Sequence, residues 1–191
     1  MGRLLPAALA VGLVLLAGCS GDDDPEPKIS PTDSSSVAST PTPSPTPSGP
    51  VEPTMPAEAE GEDAAAAEAF VRHFWAMVNY AQTTGDVQAL EGLALGSCQT
   101  CASGAKWIAD VYQRGGLIEG GKYDVGPVRV TPLGAGGQRL FEVVADVTTT
   151  PQRVSGADEL NGSFPAGNSR VRLVLLNADG GLKVSRWDVD Q

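Results

Sequence analysis

Gly115-Gly116-Leu117-Ile118-Glu119-Gly120-Gly121 is where this chain of 191 residues changes period. Upstream, apolar residues recur at three- and four-residue spacing. Ala67, Phe70, Val71, Phe74, Met77, Val78 and Ala81 form one such stripe, which predicts a helix over 63–81. A shorter helix over 86–95 follows the Thr84-Gly85 break. A third, over 97–114, starts at Ser97 as N-cap, carries Cys101, Ala105, Ile108 and Tyr112, and stops at the glycine pair. Downstream the spacing falls to two, which predicts strands over 122–133, 139–150, 170–177 and 182–189. Gly134-Ala135-Gly136-Gly137 and Asn177-Ala178-Asp179-Gly180-Gly181 supply hairpin turns. Helices first and hairpin-linked strands afterwards give an α+β fold, with N-terminal helices packed on an antiparallel sheet of about four strands.

The order of these elements resembles the nuclear-transport-factor-like, or cystatin-like, cone. That resemblance implies a curved sheet with a long first helix closing a pocket. Four segments carry a narrower likeness: Ala69-Phe70-Val71-Arg72-His73-Phe74, Asn79-Tyr80-Ala81-Gln82-Thr83-Thr84-Gly85-Asp86, Ser97-Cys98-Gln99-Thr100-Cys101 and the glycine-rich stretch from Gly115 to Gly121. In these the chain resembles a family of uncharacterised actinobacterial lipoproteins with a domain of unknown function, which implies no particular activity.

Three blocks are expected. Residues 1–18 read as a signal peptide: Arg3, an apolar run from Leu4, and Leu16-Ala17-Gly18 before Cys19. The run is shorter than the roughly 20 apolar residues of a spanning helix, and its end resembles the lipobox cut ahead of an acylated cysteine. Cys19 is therefore the expected lipidation site, with palmitate-type chains holding the protein in the cell membrane on its extracytoplasmic face. Residues 19–61 read as a disordered tether, poor in large apolar side chains and alternating proline with hydroxyl residues over 40–47. Residues 62–191 read as the folded domain.

Charge divides along the same lines. The chain carries 23 acidic and 13 basic residues, a net charge of −10. Nine of the acids lie in 20–62, against the single base Lys28. The domain is thus near neutral and has no basic stripe, which argues against nucleic acid as a partner. The expected partners are the bilayer, through acylated Cys19, and an envelope protein or a small hydrophobic ligand.

Cys98 and Cys101 form an even pair in an exported domain, so a disulfide is the expected state. Redox exchange and metal ligation are the alternative readings of the pair; a zinc site lacks the further ligands it needs. No hydrolase elbow or phosphate-binding glycine motif is present, so the sequence assigns no catalytic residues, no metal site and no cofactor. His73, the lone histidine, is expected at a surface or half-buried helical position. Were the domain a cone-fold lyase or isomerase, Asp110, Tyr112, Tyr80, Asp146 and Arg172 would be the polar candidates. By strand alternation, Asp146 and Arg172 belong on the solvated face.

Phe74, Trp75, Tyr80, Trp107, Tyr112, Phe164 and Trp187 are the candidate pocket-lining residues, with the tryptophans divided between core and wall. Residues 151–168 lack a period and read as a mobile excursion whose Phe164 could cap a pocket. The leading expectation is a membrane-anchored lipoprotein that displays a small, non-catalytic binding or interaction domain. A cone-fold enzyme or a Cys-x-x-Cys redox protein are the alternatives.

Overall fold

A computed structural model describes residues 49–134 and 140–190. The leader, Cys19, the tether as far as residue 48 and most of the glycine turn after Leu133 lie outside the described residues.

Helices α1 (Ala64–Thr84), α2 (Gln88–Gly92) and α3 (Gln99–Gln113) come first, and their ends follow from the sequence. The Asp63 carboxylate accepts the Ala66 N–H at 2.8 Å and caps α1. Gly85 closes it in the left-handed conformation (φ 78°), donating to the Ala81 carbonyl at 2.7 Å. The start of α3 differs from the expectation by one residue. Cys98 is the N-cap, its Sγ accepting the Cys101 N–H at 3.3 Å, while the Ser97 hydroxyl donates to the Ser185 carbonyl. Cys98 and Cys101 are joined in a disulfide.

Seven strands follow: β1 (Leu117–Gly120), β2 (Tyr123–Pro132), β3 (Leu140–Thr149), β4 (Gln152–Ser155), β5 (Gly162–Phe164), β6 (Gly167–Ala178) and β7 (Gly181–Asp190). The fold is α+β, with the four long strands in one antiparallel sheet ordered β2-β3-β6-β7. The three short ones make a second sheet ordered β1-β4-β5. This corrects the reading of 151–168 as a mobile excursion. Its segments are too short to show a period, but they are held by pairing with β1 and with each other.

Phe141, Val143 and Ala145 of β3 stand opposite Leu175, Leu173 and Val171 of β6, and this row is buried. Together with Phe70, Phe74 and Trp75 of α1 it forms the core, each large apolar side chain contributing about 1.5–3 kcal/mol by burial. The alternate row carries Glu142, Asp146, Arg170 and Arg172, with Arg170–Asp146 at 2.8 Å and Arg172–Glu142 at 3.0 Å. Exposed pairs of this kind stabilise little; they mark the outer face of the sheet.

Two further contacts shape the sheet. The β2–β3 register shifts between Val125 and Val128, an irregularity that bends a strand. The Arg72 guanidinium of α1 donates to the carbonyls of Val125 (3.0 Å) and Gly126 (3.3 Å) at that point. At the β7 edge, the Leu95 N–H donates to the Val184 carbonyl and the Val184 N–H to the Leu93 carbonyl. The chain leaving α2 thus covers an edge that would otherwise be open to pairing.

The packed body also begins earlier than residue 62. A short 3-10 helix, Ala57–Glu60, buries Ala59 to 4 % exposure, and Met55 packs on the core. Two small apolar contacts among prolines and glutamates carry no period, so the sequence reads as tether up to that point.

Candidate functional site

Phe74, Val78 and Gln82 recur at four-residue spacing on α1 and share one side of the helix. Cys101, Ala105 and Ile108, at four- and three-residue spacing, share one side of α3. These two stripes, with Leu90 and Glu91 of α2 and Ala94-Leu95-Gly96 after it, border a cavity of about 360 Å³. Ala102, Gly104 and Trp107 complete the α3 wall, and Tyr123, Gln152 and Trp187 close it from β2, β4 and β7. Its volume lies in the range of small-molecule pockets, about 300–1,000 Å³.

One part of the wall is a cluster of aromatic rings. Trp187 meets Phe74 edge-to-face at 6.0 Å and Trp75 at 5.1 Å, and Trp75 lies 4.8 Å from Tyr123. The indole N–H groups of Trp75 and Trp187 are buried here without an acceptor among the described residues. Edge-to-face contacts with neighbouring rings are the interactions the cluster offers them.

Another part is a network of side-chain amides. Asn79 Nδ2 donates to the Tyr123 carbonyl and its Oδ1 accepts the Tyr123 N–H, both at 2.8 Å, so one side chain of α1 acts as a strand partner. One turn on, Gln82 is only 5 % exposed and its Nε2 donates to the Gly121 carbonyl at 3.1 Å. Gln152 Nε2 donates to Gln82 Oε1, and the Tyr112 hydroxyl donates to the Gln82 carbonyl at 2.7 Å. Gln152 lies directly against Gly121, where a Cβ would stand 2.3 Å from its Nε2; with φ at 69°, that position favours glycine. The arrangement can hold an apolar body and offer amide and hydroxyl groups to a polar end.

The sequence candidates divide between this cavity and the rest of the fold. Phe74, Trp107 and Trp187 line it. Trp75 is buried behind the wall, and Tyr80 packs on the core. Tyr112 borders a shallow surface depression with Asp86 and Glu91. Phe164 is 46 % exposed, paired with Gln152 across β4–β5 and edge-to-face with Trp107 at 6.4 Å, so it stands beside the wall. Asp110 pairs with Lys106 at 2.7 Å, and Asp146 and Arg172 lie on the outer sheet face. The Arg170 hydrogen bond holds the Asp146 carboxyl below its ordinary range. Among the described residues no three His, Cys, Asp or Glu side chains converge to hold a metal.

Among the cavity residues not singled out from sequence are the polar Gln82, Gln152 and Tyr123. A signal for Gln82 existed, since a polar residue continues the apolar Phe74–Val78 stripe and a buried polar group is the informative exception.

His73 departs from the expectation of a surface or half-buried residue: it is buried. Burial pushes its pKa down, with the Glu52 charge opposing. The folded state therefore keeps the imidazole neutral at pH values where the unfolded chain binds a proton. Stability contributed this way is full above pH 6.5 and falls as the pH drops below it, by up to about 1.4 kcal/mol per pH unit. Urea unfolding at pH 7.5 and 5.5 should show this loss, and His73→Leu should flatten that part of the profile. An unchanged slope in the variant would assign the acid sensitivity elsewhere.

A family model described as a family of unknown function (DUF6318) matches residues 44–169. Among solved structures, the chain is similar to the intermembrane space region of the chloroplast protein ARC6, with 15% identity and a TM-score of 0.48 over 66% of this chain and 95% of that one. It is also similar to an uncharacterised protein with a cystatin-like fold from Caulobacter vibrioides, with 10% identity and a TM-score of 0.44 over 69% of this chain and 92% of that one. No curated protein matches the chain.

Proposed function

The chain belongs to the family of unknown function DUF6318, and for this member we propose a membrane-anchored extracytoplasmic lipoprotein whose domain binds a small apolar molecule without transforming it. The observation that carries the binding reading is the 360 Å³ cavity between α1, α3 and the sheets. Its wall is built from Phe74, Trp107, Trp187 and aliphatic side chains, the usual composition of a ligand pocket.

The wall weighs against the acid–base residues that the enzyme reading named from sequence. A proton-transfer enzyme needs an acid or base turned toward its substrate. Asp110, Tyr112 and His73 do not line the cavity; the titratable side chains that do are Glu91 and Tyr123. The redox reading needs an accessible sulfur; Cys98 is 1 % exposed and Cys101, on the cavity wall, 9 %. The anchor rests on the sequence alone, on Leu16-Ala17-Gly18-Cys19.

Two measurements test the two halves. For the anchor, Cys19→Ala should abolish metabolic labelling with a palmitate analogue and release the chain from the membrane fraction. A labelled, membrane-bound variant would refute the anchor. For the cavity, the full chain in phosphatidylcholine vesicles should bind phenylnaphthylamine, read as energy transfer from Trp107 and Trp187 against protein-free vesicles. Gly104 lines the cavity from α3, and a Cβ there meets nothing within 4 Å. Gly104→Trp should therefore fill the space and abolish saturable transfer while the protein stays folded. Undiminished binding in that variant would remove the cavity as the site.

A further inference from the structure

The cavity's polar atoms carry information about the head group of whatever fills it, an inference that rests on the binding reading above. Among the described residues the lining holds one acidic side chain, Glu91, and no Lys, Arg or His. An anion entering it would lose water and find no cation in return, which is costly for a carboxylate.

Hydrogen-bond bookkeeping gives the positive half of the argument. The Gly121 carbonyl can only accept, so the Gln82 nitrogen must face it, as observed at 3.1 Å. That turns Gln82 Oε1 toward Gln152, and because this oxygen can only accept, Gln152 presents its Nε2 there. Gln152 Oε1 is then left without a partner among the described residues, on a half-buried side chain that lines the cavity. The Tyr123 hydroxyl, also in the lining, likewise has no partner among them. Burial raises its pKa, so it stays protonated at neutral pH.

We infer that the cavity selects a neutral amphiphile, an apolar body whose polar end donates a hydrogen bond to Gln152 Oε1, as a carboxamide or an alcohol does. The carboxylate of the same body is rejected because it has no hydrogen to give Gln152 Oε1 and brings a charge to a site without a counter-charge. The amide network around Gln82 fixes the direction of this preference before any ligand arrives.

Decanamide and decanoate, equal in chain length, test it by displacing phenylnaphthylamine from the full chain in vesicles at pH 8. The amide should compete about tenfold more tightly or better. In Gln152→Leu the ratio should fall toward what the missing counter-charge alone gives, a readout that a change in overall affinity does not move. Equal competition in the unmodified chain, or preference for decanoate, would overturn the inference and leave the cavity standing. Absence of dye binding would instead overturn the binding reading and the inference with it. Should Gln152→Leu not fold, the ratio in the unmodified chain decides alone.

Discussion

Trp75→Ala should lower the stability of the full chain by about 3–5 kcal/mol, the range for deleting a fully buried aromatic side chain. Trp75 is 1 % exposed and touches three other rings: Phe74 at 6.0 Å, Trp187 at 5.1 Å and Tyr123 at 4.8 Å. Two of those contacts run to strands at opposite edges of the long sheet, so the void opens between elements that cannot collapse without moving β2 or β7. A domain of this size has about 5–15 kcal/mol in total, and the substitution removes a large share of it. Urea unfolding followed by far-ultraviolet circular dichroism measures the effect. Trp75 also backs Trp187 and Tyr123, so ligand affinity should fall together with stability. Trp107→Ala, at a half-buried wall position, should weaken binding with a smaller stability change. A Trp75→Ala loss under 1 kcal/mol would mean that the aromatic cluster is not the keystone of the packing.

The second large effect is expected at Gly85. Its φ of 78° disfavours any residue with a Cβ, and a Cβ there would stand 2.4 Å from Cγ of Tyr112 and 2.8 Å from both Cδ atoms. The ring cannot swing aside freely, because its hydroxyl is tied to the Gln82 carbonyl at 2.7 Å. Gly85→Ala therefore combines left-handed strain with a clash and should destabilise by about 2–4 kcal/mol. The same unfolding measurement reads it. Combining Gly85→Ala with Tyr112→Ala should cost less than the two single changes together, since the second removes what the first collides with. Strict additivity would show that the strain is purely one of backbone.

The contrast between these sites shows what the sequence made legible. The helical stripe through Phe74 and Val78 and the alternation in β3 have periods long enough to read, so the α+β order and the four long strands follow from them. The fate of Phe141, Val143 and Ala145 follows as well. The strands β1, β4 and β5, of three or four residues each, exist only because they pair with one another, and pairing is not a local property. The site was legible to the same degree. Phe74, Trp107 and Trp187 stand out as large apolar residues, but Trp75 and Tyr80 have the same chemistry and different places. Gln152 belongs to the site only because β4 sets it across Gly121 beside Gln82, from the far side of the long sheet's first hairpin.

The contact between Trp75 and Trp187 joins the first helix to the last described strand. During synthesis the greasy side of α1 therefore emerges long before the ring that finishes covering it. Until β7 is in place, Phe74 and Trp75 lack the ring that completes their cover, and a chain without it presents apolar surface. A chain released short of Trp187 would stay sticky and prone to degradation. The core is thus closed only once β7 is in place.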